Sequence, residues 1–70
     1  MKNWIKVERA KKNITQEELG KALGVSRNAI ASLETGRYEA NVTFAIRLAR
    51  YFNKKVEEVF FVTDDDIPKH

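Results

Sequence analysis

Between Thr15 and Gly36, helix start and stop signals follow one another so closely that this stretch reads as two short helices joined by a tight turn. Thr15-Gln16-Glu17-Glu18 is a capping box, in which the Thr15 hydroxyl can accept the amide of Glu18 while the Glu18 carboxylate reaches back to the amide of Thr15. A helix therefore begins just after Thr15. It stops at Gly24, because glycine takes a positive φ without steric cost and so closes helices. Val25 leads to a second N-cap, Ser26, and the next helix runs from Arg27 to Glu34 or Thr35, closed by Gly36. Two such helices cross at a steep angle only if the contact between them is small and apolar, which Leu19, Gly20, Leu23, Val25, Ile30 and Leu33 would provide.

The flanking segments are helical as well. Ile5 to Lys12 are compatible with one basic helix over about residues 4–12, halted at Asn13, a residue tolerant of the left-handed conformation on which helices end. After a loop of Arg37 to Ala40, Asn41 is a third N-cap for a helix with apolar Val42, Ala45, Leu48, Ala49 and Phe52 at three- and four-residue spacing, ended by Asn53. Val56 to Val62 is rich in β-formers, but Glu57 and Glu58 make its first half helical. The spacing predicts a fifth helix at about 55–59 and an extended piece at 60–63. Residues 64–70 read as an acidic, mobile tail, and Trp4 as the edge of the core.

Seventy residues leave room for one small domain, and 43% apolar with 33% charged residues and one proline is the balance of a helical globular chain. A net charge of +3 is too modest to name a partner, but its distribution is informative. Residues 1–55 hold 12 basic and 5 acidic side chains, whereas 56–70 hold only Lys69 against five acids, so the body is suited to an anionic partner. Arg47, Arg50, Lys54 and Lys55 fall on or just after the fourth helix, away from the central motif. Without cysteine, and with His70 as the single histidine, a metal site has no ligand set and no cofactor is expected. No glycine-rich phosphate loop or nucleophile–base set exists, and capping accounts for Glu17 and Glu18, so an enzyme is excluded. No apolar run approaches the roughly 20 residues that cross a bilayer, which makes the cytoplasm the expected compartment and leaves no membrane partner and no evident small-molecule substrate.

From Ile5 to about Phe60, and most densely over Thr15-Gln16-Glu17-Glu18-Leu19-Gly20-Lys21-Ala22-Leu23-Gly24-Val25-Ser26-Arg27, the chain resembles the Cro/CI-type helix-turn-helix family of small repressors, also called the xenobiotic-response-element family. The resemblance implies an all-α fold, a compact five-helix bundle of the lambda-repressor-like DNA-binding type. The DNA-binding domain would span residues 1–63, with its helix-turn-helix at 16–35. In short family members the segment after the fifth helix pairs with the first residues, here Phe60 to Thr63 with Met1 to Asn3. The sequence departs from the family pattern at Gly20, usually alanine, at Ala40, often proline, and at Glu8, often apolar. Gly20 meets the same need for smallness at a cost of about 1 kcal/mol in helix propensity.

At roughly 100° per residue, Ala29, Ile30 and Leu33 turn one side of the third helix to the core, and Asn28, Ala31, Ser32 and Thr35 lie opposite, with Arg27 at their edge. Such a face is solvated surface by default. In a helix that enters the major groove, arginine can bond guanine O6 and N7 and asparagine adenine N6 and N7, so Arg27 and Asn28 are the expected base readers. Ser32 would add weak discrimination, and the Ala31 methyl could touch a thymine methyl. Gln16 resembles the family's phosphate-binding glutamine, helped by free amides at its helix start. Further phosphate candidates are Lys11, Lys12, Arg37, Tyr38 and the amides of Thr35 and Gly36. The lysines equally suit mere solvation of a helix end. The resemblance also pairs Arg9 with Glu34 as a structural ion pair.

One such domain reads few base pairs, so the expected partner is double-stranded DNA with a palindromic operator, bound by a homodimer acting as a repressor. Phe44, Tyr51, Phe60, Phe61 and Val62 are interface candidates and equally candidates to finish the core. The alternative is a protein-interaction module on the same scaffold, an antitoxin or anti-repressor, with a partner protein held by the apolar and acidic C-terminal portion.

Overall fold

Three side-chain caps set the helix starts. The Glu18 amide donates to Thr15 Oγ1 at 3.0 Å, that of Ala29 to Ser26 Oγ at 3.1 Å and that of Phe44 to Asn41 Oδ1 at 2.8 Å. Glu18 Oε1 accepts the Thr15 amide at 2.9 Å and completes the box. Asn13, Gly24, Gly36 and Asn53 all have positive φ, between 56° and 78°, and turn the chain out of the helices before them. In the computed structural model, which describes residues 2–61, the order is β1 (Lys2–Asn3), α1 (Ile5–Lys12), α2 (Gln16–Leu23), α3 (Arg27–Glu34), α4 (Val42–Tyr51), α5 (Val56–Val59) and β2 (Phe60–Phe61).

Helices of eight to ten residues do not persist alone in water. What holds them is a common core of Ile5 from α1, Leu19 and Leu23 from α2, Ile30 and Leu33 from α3, and Ala45, Leu48 and Ala49 from α4, closed by Phe52, Val59 and Phe60. Each large side chain in it contributes about 1.5–3 kcal/mol by leaving water. The strands pair antiparallel, Lys2 with Phe61 and Asn3 with Phe60. The other residues of the expected pairing, Met1, Val62 and Thr63, lie outside the described residues, as does the acidic segment 64–70. Among the described residues no helix is long and apolar enough to cross a membrane.

Two local expectations are corrected. The first helix starts at Ile5 instead of residue 4, because the Trp4 amide donates to the Val59 carbonyl at 2.7 Å and the Ile5 amide to Asn3 Oδ1 at 3.2 Å. The Trp4 ring is half exposed and lies against Phe61, with centroids 5.3 Å apart. Val42 was expected on the buried stripe of α4, yet it is 75% exposed, because as the first residue of the helix it lines an open surface groove with Ile46 and Val56 instead of being covered. Glu8, unusual for the family, is buried, its carboxylate 3.4 Å from Lys11 Nζ. Ala40, the third departure, is half-buried against the core.

Candidate nucleic-acid interface

The two glycines of the motif answer different demands. A Cβ on Gly20 would lie 2.7 Å from the Val25 carbonyl oxygen, and 3.3 Å from the Ser26 carbonyl carbon and oxygen, so even alanine requires the backbone to move. Smallness alone understates this position. The close approach seats the start of α3 on α2, while the Val25 amide closes the end of α2 by donating to the Gly20 carbonyl at 2.9 Å. Gly24 has open space around its missing Cβ but a φ of 74°, which side chains of the L configuration rarely adopt. One glycine is required by space and the other by the backbone.

Seated this way, α3 turns Ile30 and Leu33 inward and leaves Arg27 and Asn28 exposed in its first turn, with Ala31 and Ser32 half-buried beside them. Arg27 lines a polar groove of about 580 Å³ with Arg9, Thr15, Gln16 and Glu17. Asn28 and Ser32 line a second groove of about 600 Å³, floored by Val25, Ala29, Leu33 and Phe44 and rimmed by Arg37, Tyr38 and Asn41. The expected base readers thus face both flanks of one helix, and the groove on the Arg27 side also contains Gln16.

The turn after α3 is internally bonded. The Ser32 carbonyl accepts Thr35 Oγ1 at 3.1 Å, the Arg37 amide at 3.0 Å and the Tyr38 amide at 3.2 Å, while the Thr35 and Gly36 amides donate to Ala31 and Leu33 at 3.1 and 3.2 Å. The Thr35 and Gly36 amides, expected to serve a phosphate, thus both bond carbonyls of the helix end. The side chains of Arg37 and Tyr38 remain exposed there.

Arg9 Nε donates to Glu34 Oε2 at 2.8 Å and Nη2 to Oε1 at 3.3 Å, with side-chain exposures of 17% and 6%. Arg9 Nη1 donates to the Ile14 carbonyl at 3.0 Å, and Gln16 Nε2 to Glu34 Oε1 at 3.0 Å. The capping box engages the Glu18 amide, and those of Gln16 and Glu17 lie at the positive end of α2, where no carbonyl of the helix precedes them. Lys11 and Lys12 are not brought to this groove. Lys11 is directed to Glu8, and the Lys12 ammonium sits 5.5 Å from the centroid of the Tyr51 ring.

Two residues that brace the motif carry no periodic or cap signal in the sequence. Arg47, set apart from the motif by its place on α4, reaches it: Nη2 donates to the Leu23 carbonyl at 2.8 Å at the end of α2, which corrects that reading. Asn3 Nδ2 donates to the Leu33 carbonyl at 2.7 Å, tying β1 to α3. Of the apolar interface candidates, Phe60 is in the core, Phe44 and Tyr51 are half-buried against it, Phe61 is half-buried on Trp4, and Val62 lies outside the described residues. Val42 and Ile46 are exposed beside an apolar groove of about 300 Å³ that Val56 and Phe60 also line.

The family model described as helix-turn-helix matches residues 5–59. An uncharacterized HTH-type transcriptional regulator of Methanocaldococcus jannaschii is 44% identical over 66 residues, covering 94% of this chain and all of that protein. One of Archaeoglobus fulgidus is 43% identical over 67 residues, 96% of this chain and 94% of its own length. The uncharacterized HTH-type transcriptional regulator YgzD of Bacillus subtilis is 35% identical over 66 residues, 94% of this chain and all of its own.

Proposed function

Because the chain belongs to the Cro/CI-type helix-turn-helix family and is a DNA-binding transcription regulator, we propose that it is a cytoplasmic repressor that binds a palindromic operator as a homodimer with α3 in the major groove. The observation that carries this reading is the first turn of α3, where Arg27 and Asn28 are exposed on a helix whose opposite side is held in the core. Arg27 bonds a guanine through O6 and N7, and Asn28 an adenine through N6 and N7. Ser32 and the Ala31 methyl add contacts one turn further along. Gln16, with the start of α2, takes a phosphate on one flank of the groove, and the Arg37 and Tyr38 side chains take one on the other. A domain with so short a reading helix gains specificity by doubling, which places two α3 helices about 34 Å apart on one face of the duplex.

Selecting duplexes from a random pool tests this directly. The expected product is an inverted repeat with half-site centres about one helical turn apart, about 10 base pairs, bound with affinity that falls steeply with salt. Equal, weak binding to every duplex would overturn the reading, and selection of a single unrepeated half-site would overturn the dimer.

A further inference from the structure

Gln16 does not stand alone at the start of α2. Its Nε2 donates to Glu34 Oε1 at 3.0 Å, and the same carboxylate holds Arg9 in two-point contact at 2.8 and 3.3 Å. A carboxylate only accepts hydrogen bonds, so this contact decides which end of the Gln16 amide is nitrogen, and it commits one of the two amide hydrogens. The second hydrogen is left at a helix start that already favours an anion. A glutamine free to sample its rotamers has to be ordered when it binds, whereas this one is ordered beforehand. An unpaired carboxylate at that place would repel a phosphate. Arg9 removes the objection, because its charge lies directly on Glu34 and its own position is fixed by the bond to the Ile14 carbonyl at 3.0 Å.

We propose that Glu34 is a positioning residue for DNA binding: it holds the Gln16 amide in the orientation that meets a phosphate, and Arg9 neutralises it so that it can do so beside an anion. This rests on the reading of Gln16 as a phosphate ligand and adds how that ligand is prepared. A strut between α1 and α3 needs only Arg9 and Glu34. The bond to Gln16 brings in the first residue of α2, the element that presents the phosphate site.

The test is a double-mutant cycle on a 20-base-pair duplex chosen from a random pool by the wild-type chain, with thermal melting of every variant to establish that it is folded in the assay. Glu34→Asp keeps a charge for Arg9 but withdraws the oxygen from Gln16, and Glu34→Gln, which keeps the length and loses the charge, is the second variant. Gln16→Ala and Glu34→Asp each weaken binding about three- to tenfold, the worth of one hydrogen bond, and the double variant binds within about twofold of Gln16→Ala. A duplex scanned with single methylphosphonates has one position at which neutralisation harms the wild type but neither Gln16→Ala nor Glu34→Asp. Equal losses from Glu34→Asp with and without Gln16 would make Glu34 a strut and overturn the proposal, as would wild-type binding by Glu34→Asp. If Gln16→Ala binds as the wild type does, this proposal falls and the DNA reading stands. If the wild-type chain selects no duplex, both fall.

Discussion

The two ends of α3 are built in opposite ways. At its start, Arg27 and Asn28 are exposed, and what holds the backbone is the Ser26 cap and the close packing of Val25 and Ser26 on Gly20. At its end, Glu34 bonds Arg9 and Gln16, the Leu33 carbonyl takes Asn3, and the Ser32 carbonyl takes three donors from the turn beyond. One eight-residue helix thus differs along its length: side-chain bonds from α1, α2 and β1 converge on its end, and the side chains of Arg27 and Asn28 at its start are open to solvent. Side chains at the bare end can be exchanged with little cost to folding, because nothing in the core depends on them.

Arg9→Ala strikes the anchored end hardest. It leaves a nearly buried carboxylate uncompensated, at an expected cost of roughly 3–5 kcal/mol, so the melting temperature falls by more than about 10 °C and DNA binding is lost in step with folding. Wild-type melting with lost DNA affinity would remove the structural assignment. Arg27→Ala and Asn28→Ala sharpen the contrast from the other end. Each weakens binding to the selected duplex by about 1–3 kcal/mol and relaxes one base position, while calorimetry shows stability within about 0.5 kcal/mol of wild type. A large drop in melting temperature in either variant would break the contrast. Asn3→Ala removes one donor from the Leu33 carbonyl and costs about 1 kcal/mol in stability, read by urea unfolding. Lys21→Ala is the control: the exposed pair with Glu17 at 3.7 Å contributes at most about 0.5 kcal/mol, and neither melting nor DNA binding shifts measurably.

The bare end was the more legible in the sequence. Thr15, Ser26 and Asn41 act on amides three residues ahead, and Asn13, Gly24 and Gly36 act on their own φ, so the helix limits follow from rules that span one turn of chain. The direction of Arg27 and Asn28 follows from helical winding once Ile30 and Leu33 are placed inside. The Arg9–Glu34 contact and the terminal strands were expected only from family resemblance. Asn3 to Leu33, Arg47 to Leu23, Gln16 to Glu34 and Lys12 to Tyr51 join residues 18 to 39 positions apart. Polar contacts at that separation have no period, and any surface asparagine or arginine is an equal candidate until the helices are packed. Val42 shows the converse, an apolar residue in phase with its helix that nothing covers.

The bond from Asn3 to the Leu33 carbonyl bears on when the protein matures. Asn3 sits on β1, and β1 is held by Phe60 and Phe61, so the brace on α3 depends on residues translated long after α3 itself. A nascent chain that has reached only α4 has every residue of α3 but lacks the strand that steadies the residue steadying it. Contacts of such wide sequence separation form late. Completion of this brace is therefore tied to translation through Phe61, and ribosome-bound chains of increasing length should acquire their last increment of protease resistance in α3 only when β2 has left the ribosome.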